Sequence, residues 1–126
     1  MKNRDEMVLN TIINITGEVG EIFDRFNCRT FAQFNGDSVI KRAVTMCLIS
    51  ISEMIDLLTP EFKTRYDYIN FKVFKALRNI AAHKYGSVNF EMVWQIATKD
   101  LPKYNAEFIG LLERHLREKG NENNEE

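Results

Sequence analysis

Residues 40–58 read IKRAVTMCLISISEMIDLL. Ile40, Val44, Cys47, Ile51, Met54 and Leu58 recur there at steps of three and four, the repeat that places side chains on one helical stripe. Ala43, Met46, Ile49 and Leu57 add apolar surface beside it. A helix apolar on more than one face needs more than one neighbour, so it sits either at the centre of a bundle or at a subunit interface. Glu53 lies within this surface, with Asp56 as its charged neighbour. Such a carboxylate is either exposed on a narrow polar strip or buried and held by a cation from another element.

Upstream, Asp37 or Ser38 offers an N-cap oxygen after a loop at Asn35, Gly36 and Asp37. Before the loop, Val8, Ile12, Ile15, Val19, Ile22 and Phe26 predict an amphipathic first helix. Gly17 and Gly20 lie inside it, either as a tolerated weak turn or as a place of close contact. Downstream, Thr59 and Pro60 end the central helix, and a connector with one helical turn leads to a third helix from about Asn70. Val73, Phe74, Leu77, Ile80 and Ala81 make the apolar face of this helix, while Lys72, Lys75, Asn79 and His83 follow on another. Gly86 is expected to stop it in a left-handed cap. Asn89 caps a fourth helix carrying Trp94, with Val88 and Val93 at the positions of a hydrophobic staple. Asp100 and Pro102 then restart the chain as a fifth helix with the stripe Leu101, Tyr104, Phe108, Leu111 and His115. With no strand-period segment bounded by hairpin turns and no long repeat, the fold class is all-α, a small bundle of about five helices.

The chain has 126 residues, 44% of them hydrophobic and 28% charged, which suits one domain with a real core. The expected domain covers 1–117, and 118–126 form an acidic, Asn-rich tail expected to be disordered. No run approaches the roughly 18 to 20 apolar residues of a membrane span, and Met1–Glu6 lead into no signal-peptide pattern, so the expected compartment is the cytoplasm. Cys28 and Cys47 form neither a disulfide framework nor a metal-ligand spacing, and no metal or cofactor is expected. The net charge of −1 predicts no polyanion partner by itself. Its distribution does: between Asp67 and Glu91 there is no acidic residue, whereas Lys72, Lys75, Arg78 and Lys84 all lie there.

Phosphate loops, nucleophile elbows, His-Glu-x-x-His helices and paired-carboxylate spacings are missing from the sequence. What remains is residues 78–85, RNIAAHKY. Cations near a helix C-terminus interact favourably with the helix dipole and need no other purpose. The chemical alternative is that His83 exchanges protons at neutral pH while the Arg78 guanidinium binds a phosphate. Together they suit RNA cleavage without metal, with His83 moving the proton at the 2′-hydroxyl or the leaving oxygen and Arg78 stabilising the phosphorane-like transition state. Residues five apart on an ideal helix point about 140° apart and residues four apart about 40°. Asn79 is therefore the natural orienting neighbour of His83, and Arg78 converges on it only through its long side chain, a loosened last turn or a second subunit.

Arg78 and His83 resemble the Arg-x4-His motif of the HEPN superfamily, and with Tyr85 the segment is similar to the Arg-x4-His-x-Tyr form of HepT-like toxins. The likeness extends to Val93-Trp94 and Asp100-Leu101-Pro102, and Ile51-Ser52-Glu53 resembles the second-helix Gly-Glu neighbourhood of that group. It covers roughly residues 5–112. The sequence departs from the usual pattern at Ala81-Ala82, where larger aliphatics are common, and at Ser52 and Lys84, where glycine is common. The resemblance implies a helical bundle that dimerises through the motif face, so that two copies form a composite ribonuclease site. It also implies a toxin-antitoxin pair, in which a minimal nucleotidyltransferase antitoxin of the MntA type transfers AMP to Tyr85. Catalysis then falls to Arg78 and His83 with Asn79, RNA binding to Lys72, Lys75 and Lys84, modification to Tyr85 and an orienting role to Glu53. Tyr85 has a structural alternative, packing its ring on the fourth helix beside Trp94 or Phe90. For the whole chain the alternative is a non-catalytic helical module that binds a nucleotidyltransferase or RNA.

Overall fold

The computed structural model describes residues 4–67, 69, 72–82 and 85–124, with backbone alone at 81, 82, 85 and 121–124. The helices are α1 (Arg4–Arg25), α2 (Phe31–Asn35), α3 (Ser38–Asp56), α4 (Pro60–Arg65), α5 (Lys72–Ala82), α6 (Phe90–Gln95) and α7 (Leu101–Asn124). Among the described residues there is no strand. The all-α expectation holds; α4 is the helical turn expected in the connector, and α2 is a short helix additional to the five predicted.

The central stretch becomes α3, which packs on α1 and α5 and also meets α2 and α6. Its buried residues are Ile40, Val44, Thr45, Leu48, Ile51, Ser52 and Ile55. Leu48 and Ile55 thus take the places expected of Cys47 and Met54, which are only half-buried. Two neighbours on different sides pull the buried arc around the helix, which a single stripe does not capture. Even so, Val39, Met46 and Leu57 stay exposed. Steps of seven and eleven residues are nearly whole numbers of turns, so these three line one solvent edge of α3. Asp37 caps the helix as expected, its Oδ1 accepting from the backbone N–H of Val39 and Ile40 at 2.9 and 3.1 Å.

In α1 the buried face is Asp5, Val8, Leu9, Ile12, Thr16, Val19 and Phe23, whereas the expected Phe26 is exposed. A Cβ at Gly17 or Gly20 would meet nothing within 4 Å, which excludes close contact as their reason. The helix ends on Asn27, the one described residue other than glycine at positive φ (49°). Its N–H reaches Asp24 O and the Cys28 N–H reaches Phe23 O, a Schellman closure with Asn in the usual glycine position. Short α2 follows from a capping box: the Thr30 hydroxyl accepts from Gln33 N–H, while the Gln33 side chain accepts from Thr30 N–H. It delivers Phe31 and Phe34 to Trp94 of α6, whose ring also meets Phe23 edge-on at 5.5 Å. The N-terminus of α1 is tied to α4 because buried Asp5 accepts from both the N–H and the hydroxyl of Thr59, the α4 cap, at 2.8 and 2.7 Å.

Three expectations change at the C-terminal half. Gly86 lies in a 3-10 turn, Tyr85–Ser87, and not at positive φ, so it acts through the tighter turn and not as a left-handed cap. Asp100 does not open a new helix: residues 96–100 form a π turn that joins α6 to α7, with helical dihedrals at Gln95, Ile96 and Leu101. Pro102 has no N–H to give the Thr98 carbonyl, and the wider turn, with Leu101 N–H reaching Ile96 O, accommodates that missing bond. The boundary expected at 118 falls inside α7, where Glu118 accepts from the Tyr66 hydroxyl at 2.9 Å and pairs with Arg65 at 2.7 Å. Lys119 reaches Glu6 of α1 at 3.5 Å. Both side chains therefore belong to the packed body.

Candidate nucleic-acid interface

α5 is divided lengthwise. Phe74, Leu77 and Ile80 are buried, with Phe74 meeting Tyr104 of α7 edge-on and Phe108 at a tilt, at 4.8 and 5.7 Å between ring centroids. Lys72, Lys75, Arg78 and Asn79 are exposed. The periodicity that buries three apolar residues therefore leaves the cations on the outside.

Arg78 is the best-defined member. Its Nη2 lies 2.7 Å from Oδ1 of Asp56, the last residue of α3, with the two side chains 52% and 48% exposed. Glu53 is exposed, which selects the solvent-strip alternative for it. The α3 carboxylate paired with a cation of α5 is Asp56, three residues beyond Glu53. The signal was an acid at the end of a helix that otherwise carries few charges, but sequence alone gives no distance between it and Arg78. Ser52, next to Glu53, is buried and turns its hydroxyl back to Ile49 O at 2.7 Å. The solvent edge of Val39, Met46 and Leu57 places apolar surface on the same helix that supplies Asp56.

The structure brings Arg78, Asn79, Lys72 and Lys75 together on one helix. His83 and Lys84 lie outside the described residues. Tyr85 opens the 3-10 turn, and its side chain, with the packing on α6 considered for it, lies outside the described ones. Trp94 is engaged with Phe23, Phe31 and Phe34. No described helix is long and apolar enough to cross a membrane.

Elsewhere the titratable side chains with displaced protonation are structural. Burial, together with the bond to Glu118, pushes the Tyr66 phenol up. Burial raises the thiols of Cys28 and Cys47, with Asp37 and Glu18 adding to the effect, so both are held in the neutral form.

Residues 15–109 match the family described as "Ribonuclease HepT-like". Among curated proteins, one from Methanocaldococcus jannaschii named "Gamma-glutamylcyclotransferase and putative RNase" is 32% identical over 93 residues, 74% of this chain and 40% of its own length. A "Putative RNase" of the same organism is 29% identical across 71% of this chain and 76% of its own. Another of that name, from Caldanaerobacter subterraneus, is 25% identical across 80% and 90% respectively. This chain therefore spans less than half of the first relative and most of the other two. No solved structure matches it significantly. The matched segment contains Glu53, Asp56 and the whole of residues 78–85.

Proposed function

Since the chain belongs to the HepT-like ribonuclease family, we propose that it is a metal-independent endoribonuclease acting as the toxin of a toxin-antitoxin pair. The observation that carries this reading is the family match across residues 15–109, which contains an α5 whose exposed side bears Lys72, Lys75, Arg78 and Asn79. RNA is the substrate, and its phosphates meet those cations together with Lys84. With His83 taking the proton of a 2′-hydroxyl, the 2′-oxygen attacks phosphorus and the bond to the 5′-oxygen breaks. The proton is returned to that leaving oxygen, so the products carry a 2′,3′-cyclic phosphate and a 5′-hydroxyl. Arg78 stabilises the additional charge on the phosphoryl oxygens in the transition state. Asn79, one turn before His83, orients the imidazole, and Glu53 supports the same neighbourhood from α3.

The site is composite, formed by two copies meeting through the motif face. Val39, Met46 and Leu57, exposed along α3, support this because an apolar edge open to solvent suits burial against a second copy. Control comes from a minimal nucleotidyltransferase antitoxin that transfers AMP to Tyr85. An added phosphate at that position places negative charge beside Arg78, His83 and Lys84, where it competes with an RNA phosphate.

Induced expression in a host lacking the partner gene tests the biological reading. Growth arrest that disappears in His83→Ala, with a dimer mass by light scattering in both proteins, supports it. Growth without arrest, from a soluble dimer that still captures the nucleotidyltransferase, would leave the non-catalytic docking module as the better description. Intact mass after co-expression reads the modification: whole AMP additions that vanish in Tyr85→Phe support the switch.

A further inference from the structure

The Arg78 guanidinium is not presented to solvent as an open cation. It is paired at 2.7 Å with Asp56, an acid from a different helix, and both side chains are about half exposed. Five N–H donors surround a guanidinium, and a phosphate binds best by taking two of them in parallel. A carboxylate already seated on one terminal nitrogen occupies one arm of that fork and cancels the charge that attracts the phosphate. An exposed pair of this kind is weak, so an incoming polyanion can displace it.

We infer that Asp56 is an intramolecular substitute for the RNA phosphate at Arg78, a counter-ligand that must swing away before RNA engages the site. The inference rests on the proposed ribonuclease reading and adds a brake to it. Asp56 acts through Arg78 and touches no reacting atom, so it is a positioning residue. The acid comes from α3, outside the Asp67 to Glu91 interval, and neutralises the one cation of that interval on which transition-state stabilisation is proposed to depend.

The exposed Asp56→Asn change keeps the shape of the side chain and removes its charge. Binding is read by fluorescence anisotropy with a 2′-O-methylated oligoribonucleotide, which lacks the attacking hydroxyl and stays intact. Asp56→Asn is expected to bind about threefold tighter, the size of effect that breaking an exposed pair allows. In an Arg78→Ala background the same change should shift affinity by much less, because the group it competes for is gone. On cleavable RNA the variant should lower KM with kcat unchanged, the pattern of binding strengthened equally in the ground and transition states. Equal tightening with and without Arg78 would reduce Asp56 to a general surface charge and overturn the inference. Weaker binding or a fallen kcat in Asp56→Asn would overturn it in the other direction, showing that the acid holds Arg78 in its working position. If the wild-type chain binds no RNA at low salt, the ribonuclease reading fails and the inference falls with it. RNA binding indifferent to residue 56 removes the inference alone.

Discussion

α3 and α5 pack against each other, yet they divide their surfaces in opposite ways. α3 buries residues on a wide arc, from Ile40 through Thr45, Leu48 and Ser52 to Ile55, because α1 and α5 hold it from different sides. α5 buries a narrow line, Phe74, Leu77 and Ile80, and turns Lys72, Lys75, Arg78 and Asn79 outward. A side chain that must pack cannot move to meet a substrate, so the helix with the smaller share of the core is the one able to carry chemistry. Substitutions at the buried positions of α3 should therefore act on folding, and those on the outer face of α5 on RNA.

The sharpest way to break this contrast is at Leu48, fully buried in α3. Leu48→Ala should cost about 2–5 kcal/mol in urea unfolding, the range for a buried leucine lost to a cavity. A loss under about 1 kcal/mol would mean that α3 is not the centre of the core. Next in size is Asp5→Ala, which leaves the Thr59 N–H and hydroxyl without their acceptor and should cost about 1–3 kcal/mol. That result would show that the central helix depends on polar ties at its far end as well as on apolar packing.

A smaller effect is expected at Tyr66, whose hydroxyl donates to Glu118 at 2.9 Å. Tyr66→Phe should cost about 1 kcal/mol at neutral pH. Burial holds the phenol neutral in the fold and raises its pKa, so this contribution is complete below the ordinary tyrosine value near 10. It is lost as pH rises through the higher native value. Wild-type stability should accordingly fall on the alkaline side, and Tyr66→Phe should flatten that fall while leaving the part due to Tyr104, which is raised by burial as well. The smallest structural effect belongs to α5: Lys75→Ala should change stability by no more than about 0.5 kcal/mol. Its consequence should appear instead as weaker RNA binding, with the salt dependence reduced by about one counterion. A Lys75→Ala protein that unfolds early but binds RNA normally would reverse the assignment of the two helices.

The helices were legible in the sequence because their apolar residues repeat with a helical period, and the caps at Asp37 and Asn89 were legible from residue type alone. The α3 arc was less so. Periodicity places a stripe but does not say how many neighbours will cover its flanks, and Leu48 and Ile55 were displaced from it for that reason. α2 is too short to show a period, although Thr30 and Gln33 carried its capping signal. The turns at 85–87 and 96–100 illustrate another limit: glycine and proline mark a change in backbone, and the surrounding contacts choose a 3-10 or a π geometry. At the candidate site, the cations of α5 could be read from the absence of acids between Asp67 and Glu91. The Asp56 partner could not, since an ion pair between residues from two helices depends on how those helices pack.

The central claim is that Arg78 and His83 cleave RNA without a metal. The direct measurement incubates the purified chain with single-stranded RNA in excess chelator and follows product ends, beside Arg78→Ala and His83→Ala proteins whose helical content and mass by light scattering match wild type. The account predicts cleavage that persists in chelator, yields 2′,3′-cyclic phosphate and 5′-hydroxyl ends, and falls by about 100-fold or more in each variant. Cleavage that stops on chelation, or that continues at the wild-type rate in His83→Ala, would contradict it.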